Sequence, residues 1–194
     1  MVMSRRRMLR WSGAAVGGVA LIVLGGALLL PRTYRFETEL TVSRPPDRVW
    51  AWFIKPSRWA RRFPIVQSVG DDANTPMGVG TQRRVLIHLP GGETLLSDII
   101  VTDFTPGSRY ADRHLGDWLD GAPLPITNVT DRLEFDPDGQ GRTRVTFTGI
   151  FEVTGLWNRW LAYFTLKPMA NRVIAQVRND SARIIQTDHP KSPT

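Results

Sequence analysis

Tyr110, Asp112 and His114 stand at alternate positions in the stretch Ser108 to Leu115. Successive side chains of a strand point to opposite faces, so these three share one face. In the stretch Ile126 to Phe135, Asp131 shares a face with Val129, Leu133 and Phe135 by the same count. A carboxylate beside an imidazole, shielded from water, can act as a general base and orient a carbonyl group. Asp112 and His114 are therefore the candidate catalytic pair. The same alternation also fits a solvated sheet face, and periodicity does not choose between the two. Arg83-Arg84 carries the same ambiguity, because one of the two must face away from the core.

Other chemistries have less behind them. The chain contains no G-x-S-x-G, H-E-x-x-H, Walker-type or dinucleotide-binding glycine pattern. Its three histidines, His88, His114 and His189, are scattered, and a His-based metal site would need carboxylates from other strands. The expectation is no metal and no cofactor. With no cysteine, disulfides, thiolate metal sites and Cys nucleophiles are excluded. The formal net charge is +7, but Arg5, Arg6, Arg7 and Arg10 hold four of those charges. No basic helix or basic–aromatic ribbon follows, which argues against nucleic-acid binding. Lys occurs only at 55, 167 and 191, and this preference for Arg carries no functional reading.

The elements that must position these residues follow from periodicity. Thr33 to Val42 alternates as a strand. Pro46 opens a short helix over Asp47 to Ile54, and Ser57 to Phe63 reads as a second short helix carrying Trp59. Strands follow at 65–69, 81–89, 93–104, 108–115, 126–135 and 142–153, separated by Gly, Pro and Asp turns. Gly116 to Pro125 reads as a loop holding Trp118. In the last strand Val145, Phe147, Gly149, Phe151 and Val153 alternate with polar residues at 144, 146, 148 and 152. Leu156 to Gln186 then reads as the principal helix. Ala170, Val173, Ile174, Val177, Ile184 and Ile185 make one apolar stripe, with Trp157, Trp160, Leu161 and Phe164 on one face earlier. Thr154 is placed to cap it, and Pro168 must kink or restart it. Helices segregated from a run of hairpin-linked strands give an α+β domain, a curved antiparallel sheet closing around the final helix.

The 194 residues divide accordingly. Residues 1–10 are a basic segment. Trp11 to Leu30 carries no charge and Pro31 ends it, so 11–31 reads as a transmembrane anchor or export signal. The arginines before it place the N-terminus in the cytoplasm and Arg32 onward outside, as a single-pass membrane protein. Ser4-Arg5-Arg6-Arg7-Met8-Leu9-Arg10 also resembles a twin-arginine signal. Gly25-Gly26-Ala27 is a poor cleavage site, which favours a retained anchor. Residues 32–187 form one domain, and 188–194 are a flexible tail.

Several local words, in order, resemble the SRPBCC superfamily, the START-like proteins that include the polyketide cyclase/dehydrase and lipid-transport type. They are Val42-Ser43-Arg44-Pro45-Pro46-Asp47-Arg48-Val49-Trp50, Ser57-Arg58-Trp59 with Phe63-Pro64-Ile65-Val66, Val101 to Tyr110, and Gly141-Arg142-Thr143-Arg144-Val145-Thr146. The resemblance implies a helix-grip fold with a deep apolar cavity between sheet and C-terminal helix. It implies hydrophobic small molecules or lipids as ligands, and an inward-facing Tyr110 that brings Asp112 and His114 with it. The residues then expected at the ligand are Trp59, Tyr110, Trp118, Asp131, Phe147, Phe151, Trp160 and Phe164. Trp59 and Trp118 would stand at the cavity mouth, though Trp118-Leu119 also fits contact with the membrane surface.

Three functions compete. The first is membrane-anchored binding of a hydrophobic small molecule or lipid. The second is a cyclase/dehydratase-type enzyme using Asp112 and His114. The third is an envelope protein-interaction module with a filled core. The sequence does not name the ligand or the oligomeric state.

Overall fold

A computed structural model describes residues 25–53, 66–70, 77–89, 92–172, 174, 175, 178 and 179. The chain runs β1 (Thr33–Val42), α1 (Pro46–Phe53), β2 (Val66–Gly70), β3 (Gln82–His88), β4 (Thr94–Thr105), β5 (Arg109–Leu119), β6 (Ala122–Pro123), β7 (Ile126–Pro137) and β8 (Thr143–Val153). It ends in a helix, α2, which starts at Asn158–Leu161 and continues through a π turn at Ala162–Leu166. The strands form one antiparallel sheet in the order β1-β8-β7-β5-β4-β3-β2, with the short β6 on β5. This is the expected helix-grip α+β arrangement, a curved sheet with a C-terminal helix.

Two apolar clusters form on the inner face of the sheet. In the first, Val49 and Phe53 of α1 pack on Val42, Val101, Tyr110, Leu133, Phe135 and Val145. Phe135 is central, with the Trp50 and Phe53 rings meeting it edge-on at 5.3 and 5.5 Å. In the second, Ala162 and Leu166 of α2 pack on Tyr34, Phe36, Phe151 and Val153, with Met169, Ala170 and Ile174 alongside. The alternation of β8 is thereby explained: Val145 and Phe147 serve the first cluster, Phe151 and Val153 the second.

Several expectations need correction. β5 does not end at Leu115 but continues to Leu119, so Trp118 lies in a strand rather than a loop. Thr154 does not cap α2. Its hydroxyl donates to the Pro125 carbonyl, and the residue at the N-cap, Trp157, makes no side-chain cap bond. Pro168 has no N–H for the carbonyl four residues back. Just before it the helix widens, the Lys167 N–H reaching the Ala162 carbonyl, and helical residues then run on to 172. In this register the small Ala162 lets the helix backbone approach the sheet. Trp157 and Phe164, each 63 % exposed, are left in solvent rather than in the core.

The expected helix over Ser57 to Phe63, with Trp59, and residues 1–24 of the expected anchor lie outside the described residues. Among the described residues no helix is long and apolar enough to cross a membrane. Residues 25–29 are helical, with Ala27 buried and Gly26 against the Trp160 ring.

Candidate functional site

Between the two apolar clusters the inner face carries a polar patch. Its position follows from strand register. Phe36, Gly149, Asp131, Asp112 and Val101 are successive cross-strand partners on β1, β8, β7, β5 and β4. Directly paired residues share a face, so Asp131 and Asp112 point inward with Val101 and Phe36. The next row is Arg83, Ile99 and His114, and the one after it Ser97 and Asp117.

A β-bulge makes the last pairing possible. Leu115 has no partner on β4, because His114 pairs with Ile99 and Gly116 with Asp98. A bulge inserts one residue and shifts the alternation beyond it. Asp117 therefore returns to the inner face beside His114, while Gly116 and Trp118 go to the outer one. The Trp118 ring lies across Gly116, where a methyl group would collide with it.

The inward side chains form one connected set. Tyr110 Oη donates to Asp112 Oδ2 at 2.7 Å. His114 Nδ1 lies 2.7 Å from Asp117 Oδ1, and Ser97 Oγ donates to the same oxygen at 2.6 Å. A carboxylate only accepts, so Nδ1 carries the proton. The other ring nitrogen, Nε2, faces Asp131 Oδ2 at 3.4 Å and Asp112 Oδ1 at 3.8 Å. Asp112 is 6 % exposed, and its Oδ1 has no hydrogen-bond partner among the described residues. Asp131 keeps 34 % of its side chain exposed, which opens the set to incoming molecules.

These surroundings move the protons. Burial pushes the Asp112 carboxyl up, and the Asp131 charge adds to this. The Tyr110 hydroxyl and His114 pull the other way, and the result stands at about 7. Burial works against the His114 imidazolium, but the hydrogen bonds and charges of Asp117 and Asp131 outweigh it and hold it up at about 10. Tyr110 is raised above its ordinary value by burial first and the Asp112 charge second. Such a set can hold a polar group of a ligand, exchange a proton with it, or gather around a cation. Asp112, His114 and Asp131 each offer one ligand atom, all within 4.8 Å of one another.

The structure thus gathers Tyr110, Asp112, His114 and Asp131. The other described ligand candidates lie outside this hydrogen-bonded set, although the Phe147 ring comes up to Gly149 beside Asp131. Phe147 is half-buried at the edge of the first cluster, and Phe151 stacks between Tyr34 and Phe36. Trp160 stacks on the exposed Phe164 at 5.6 Å. Three residues of the patch were not legible as such. Asp117 reaches it through the bulge, whose one sequence signal is a glycine, Gly116, inside a strand, while Ser97 follows Ile99 inward by the plain alternation of β4 and meets Asp117 only because of that bulge. Arg83 is the inward member of its pair, since it lies opposite Ile99, while Arg84 forms an outer ion pair with Asp98 at 2.6 Å.

Comparison with known proteins fits this architecture. Residues 33–183 match the family described as polyketide cyclase / dehydrase and lipid transport. Among solved structures, the ZhuI aromatase/cyclase from Streptomyces sp. R1128 is similar, with TM-score 0.62 and 19 % identity over 79 % of this chain and 94 % of that one. A START superfamily protein from Mycobacterium smegmatis aligns with TM-score 0.60 and 12 % identity over 78 % and 97 %. Norcoclaurine synthase from Thalictrum flavum, in complex with dopamine and hydroxybenzaldehyde, aligns with TM-score 0.58 and 12 % identity over 85 % and 92 %. At these identities the likeness is one of fold. No curated protein matches the sequence.

Proposed function

The chain belongs to the polyketide cyclase / dehydrase and lipid transport family, and from that premise we propose that it binds a hydrophobic small molecule or lipid against the inner face of the sheet, with one polar group of the ligand at Asp112, His114 and Asp131. The observation that carries this reading is the placement of the polar patch between two apolar clusters on one face, with Asp131 open at its edge. Apolar walls with a few convergent polar groups are the usual make-up of a small-molecule site. Native mass spectrometry of the purified full-length chain, before and after organic extraction, tests it. A reproducible mass excess removed by extraction is the expected result. A clean mass in preparations from several sources, together with no uptake of added fatty acid or aromatic polyketide, would sink it.

A second reading is favoured by the orientation of Asp112. Its Oδ1, without a hydrogen-bond partner among the described residues, is turned toward His114 Nε2, an arrangement that acid–base chemistry of the cyclase/dehydratase type can use. In a dehydration, Asp112 would take a proton from the carbon next to a carbonyl. His114 would give one to the departing hydroxyl, so that a C–H and a C–O bond break, a C=C bond forms and water leaves. Loss of water from a β-hydroxyketone, followed by ultraviolet absorbance, distinguishes catalysis from binding. Asp112→Asn should slow it at least ~100-fold.

We also infer that residues 11–31 are a retained anchor, with the domain outside the cytoplasmic membrane. The packing of Gly26 on Trp160 and the burial of Ala27 support retention, because they make the end of that segment part of the domain. Protease protection in intact spheroplasts would decide the orientation.

A further inference from the structure

We propose that Asp112, His114 and Asp131 bind a single divalent transition-metal ion, through Asp112 Oδ1, His114 Nε2 and one carboxylate oxygen of Asp131. The proposal stands independently of the ligand reading above. It assigns to a metal the three side chains at which the binding reading places a polar group, two of which, Asp112 and His114, the acid–base reading uses directly.

Geometry is the first argument. Ligand atoms ~2.0–2.2 Å from a zinc-like ion in tetrahedral array lie ~3.3–3.6 Å from each other. Here His114 Nε2 is 3.4 Å from Asp131 Oδ2 and 3.8 Å from Asp112 Oδ1, and all three ligand atoms lie within 4.8 Å of one another, so an ion at the centre would have to draw the two carboxylates inward to complete the site. All three side chains come from paired strands, β5 and β7, with Asp112 directly opposite Asp131. Rigid sheet positions hold a constellation more tightly than loops do.

The surrounding shell is the second argument. A metal-binding histidine usually donates its other ring N–H to a carboxylate, which orients the ring and makes it more basic. Asp117 takes that position on His114 Nδ1 and is itself held by Ser97. Tyr110 occupies Asp112 Oδ2, which leaves Oδ1 turned to the centre. Asp112 is more than nine-tenths buried and this oxygen has no partner among the described residues. A buried carboxylate oxygen without a donor is costly, and a cation at the centre removes that cost.

Charge is the third. Asp112, Asp117 and Asp131 gather three carboxylates around one imidazole, with the buried Arg83 in the adjoining row. A dication supplies the balance that His114 and Arg83 do not. One nitrogen and two oxygens suit zinc, manganese or ferrous iron better than copper(I), which favours thiolate ligands. Three protein ligands leave coordination positions open toward the exposed side of Asp131, where a ligand carbonyl could be polarised.

The test is titration of the metal-depleted full-length chain with Zn2+ by calorimetry and with Co2+ by visible absorbance. The expected result is one ion per chain and a cobalt spectrum of low coordination number. Asp112→Asn, which preserves shape, should abolish the saturable phase, and His114→Ala should do the same. Asp117→Asn removes no ligand, so it should weaken affinity ~10-fold while leaving the cobalt bands in place. Circular dichroism establishes that each variant is folded. Absence of saturable binding, or binding unchanged in folded Asp112→Asn, would overturn the proposal.

Discussion

The Asp131 carboxylate lies over Gly149: a methyl group at 149 would stand 3.0 Å from Asp131 Oδ1 and 3.5 Å from the Phe147 ring. The two residues are cross-strand partners, so the missing side chain on β8 is the space that the carboxylate on β7 occupies. Gly149→Ala should therefore act on Asp131 rather than on the fold. Glycine weakens a strand interior, which offsets the tight contact, and Asp131 has exposed space to turn into. The expected outcome is a stability change under ~1 kcal/mol in urea melts, with metal or ligand affinity reduced several-fold. Unchanged affinity would show that Asp131 does not need this placement.

The metal-free protein should lose stability as the solution becomes alkaline. A group whose pKa is raised by folding stabilises the native state fully below its unfolded pKa, and that contribution disappears as pH rises through the folded value. For Asp112 this window runs from 3.8 to about 7. For His114 it runs from 6.5 to about 10. Both act in the same direction, so the melting temperature should fall between pH 5 and pH 10. Asp112→Asn removes the first part of that fall and should melt higher than the parent at pH 8 in the presence of chelator. A flat profile for the parent would mean that the patch is solvated more freely than its burial suggests.

Phe135 is 1 % exposed and carries the contacts of both Trp50 and Phe53. Truncation leaves a cavity under α1 that a paired strand cannot close. Phe135→Ala should cost ~3–5 kcal/mol, read from denaturant midpoints. A loss below ~1 kcal/mol would mean that α1 contributes little to the core.

Much of this arrangement was legible before the structure, because strand alternation is a local property. Tyr110, Asp112 and His114 share a face in any straight strand, and Asp131 follows Leu133 and Phe135 inward by the same rule. Illegible were the features that depend on a partner strand. Nothing local shows that Leu115 is skipped, so Asp117 and Trp118 read as loop residues in the sequence although the bulge sends them to opposite faces of a strand. Nor could the sequence show which of Arg83 and Arg84 is inward before Ile99 was known to lie opposite. In α2 the apolar pattern was real, but aromatic residues satisfy a helical period whether they face core or solvent. The choice fell to Ala162 and Leu166, because a small side chain lets the helix settle on Tyr34 and Phe36.

That choice leaves an apolar surface with a consequence. Trp157, Leu161, Tyr163 and Phe164 are exposed at the start of α2, and Leu28 and Leu29 are exposed just beyond the Gly26–Trp160 contact. Phe164 stacks on Trp160 and meets Tyr163 edge-on, so these three rings form a connected aromatic group. Large exposed apolar patches mark contact with proteins or membranes, and aromatic rings favour the membrane interface. If residues 11–31 anchor the chain, this patch is where the domain would rest on the bilayer. The double variant Trp157→Ser, Phe164→Ser should keep its melting temperature within a few degrees, since neither side chain is in the core. In anchored vesicles it should also lose protection of the Trp160 indole from aqueous acrylamide quenching. Equal quenching in the two proteins would show that the domain stands clear of the membrane and that the patch faces water or another protein instead.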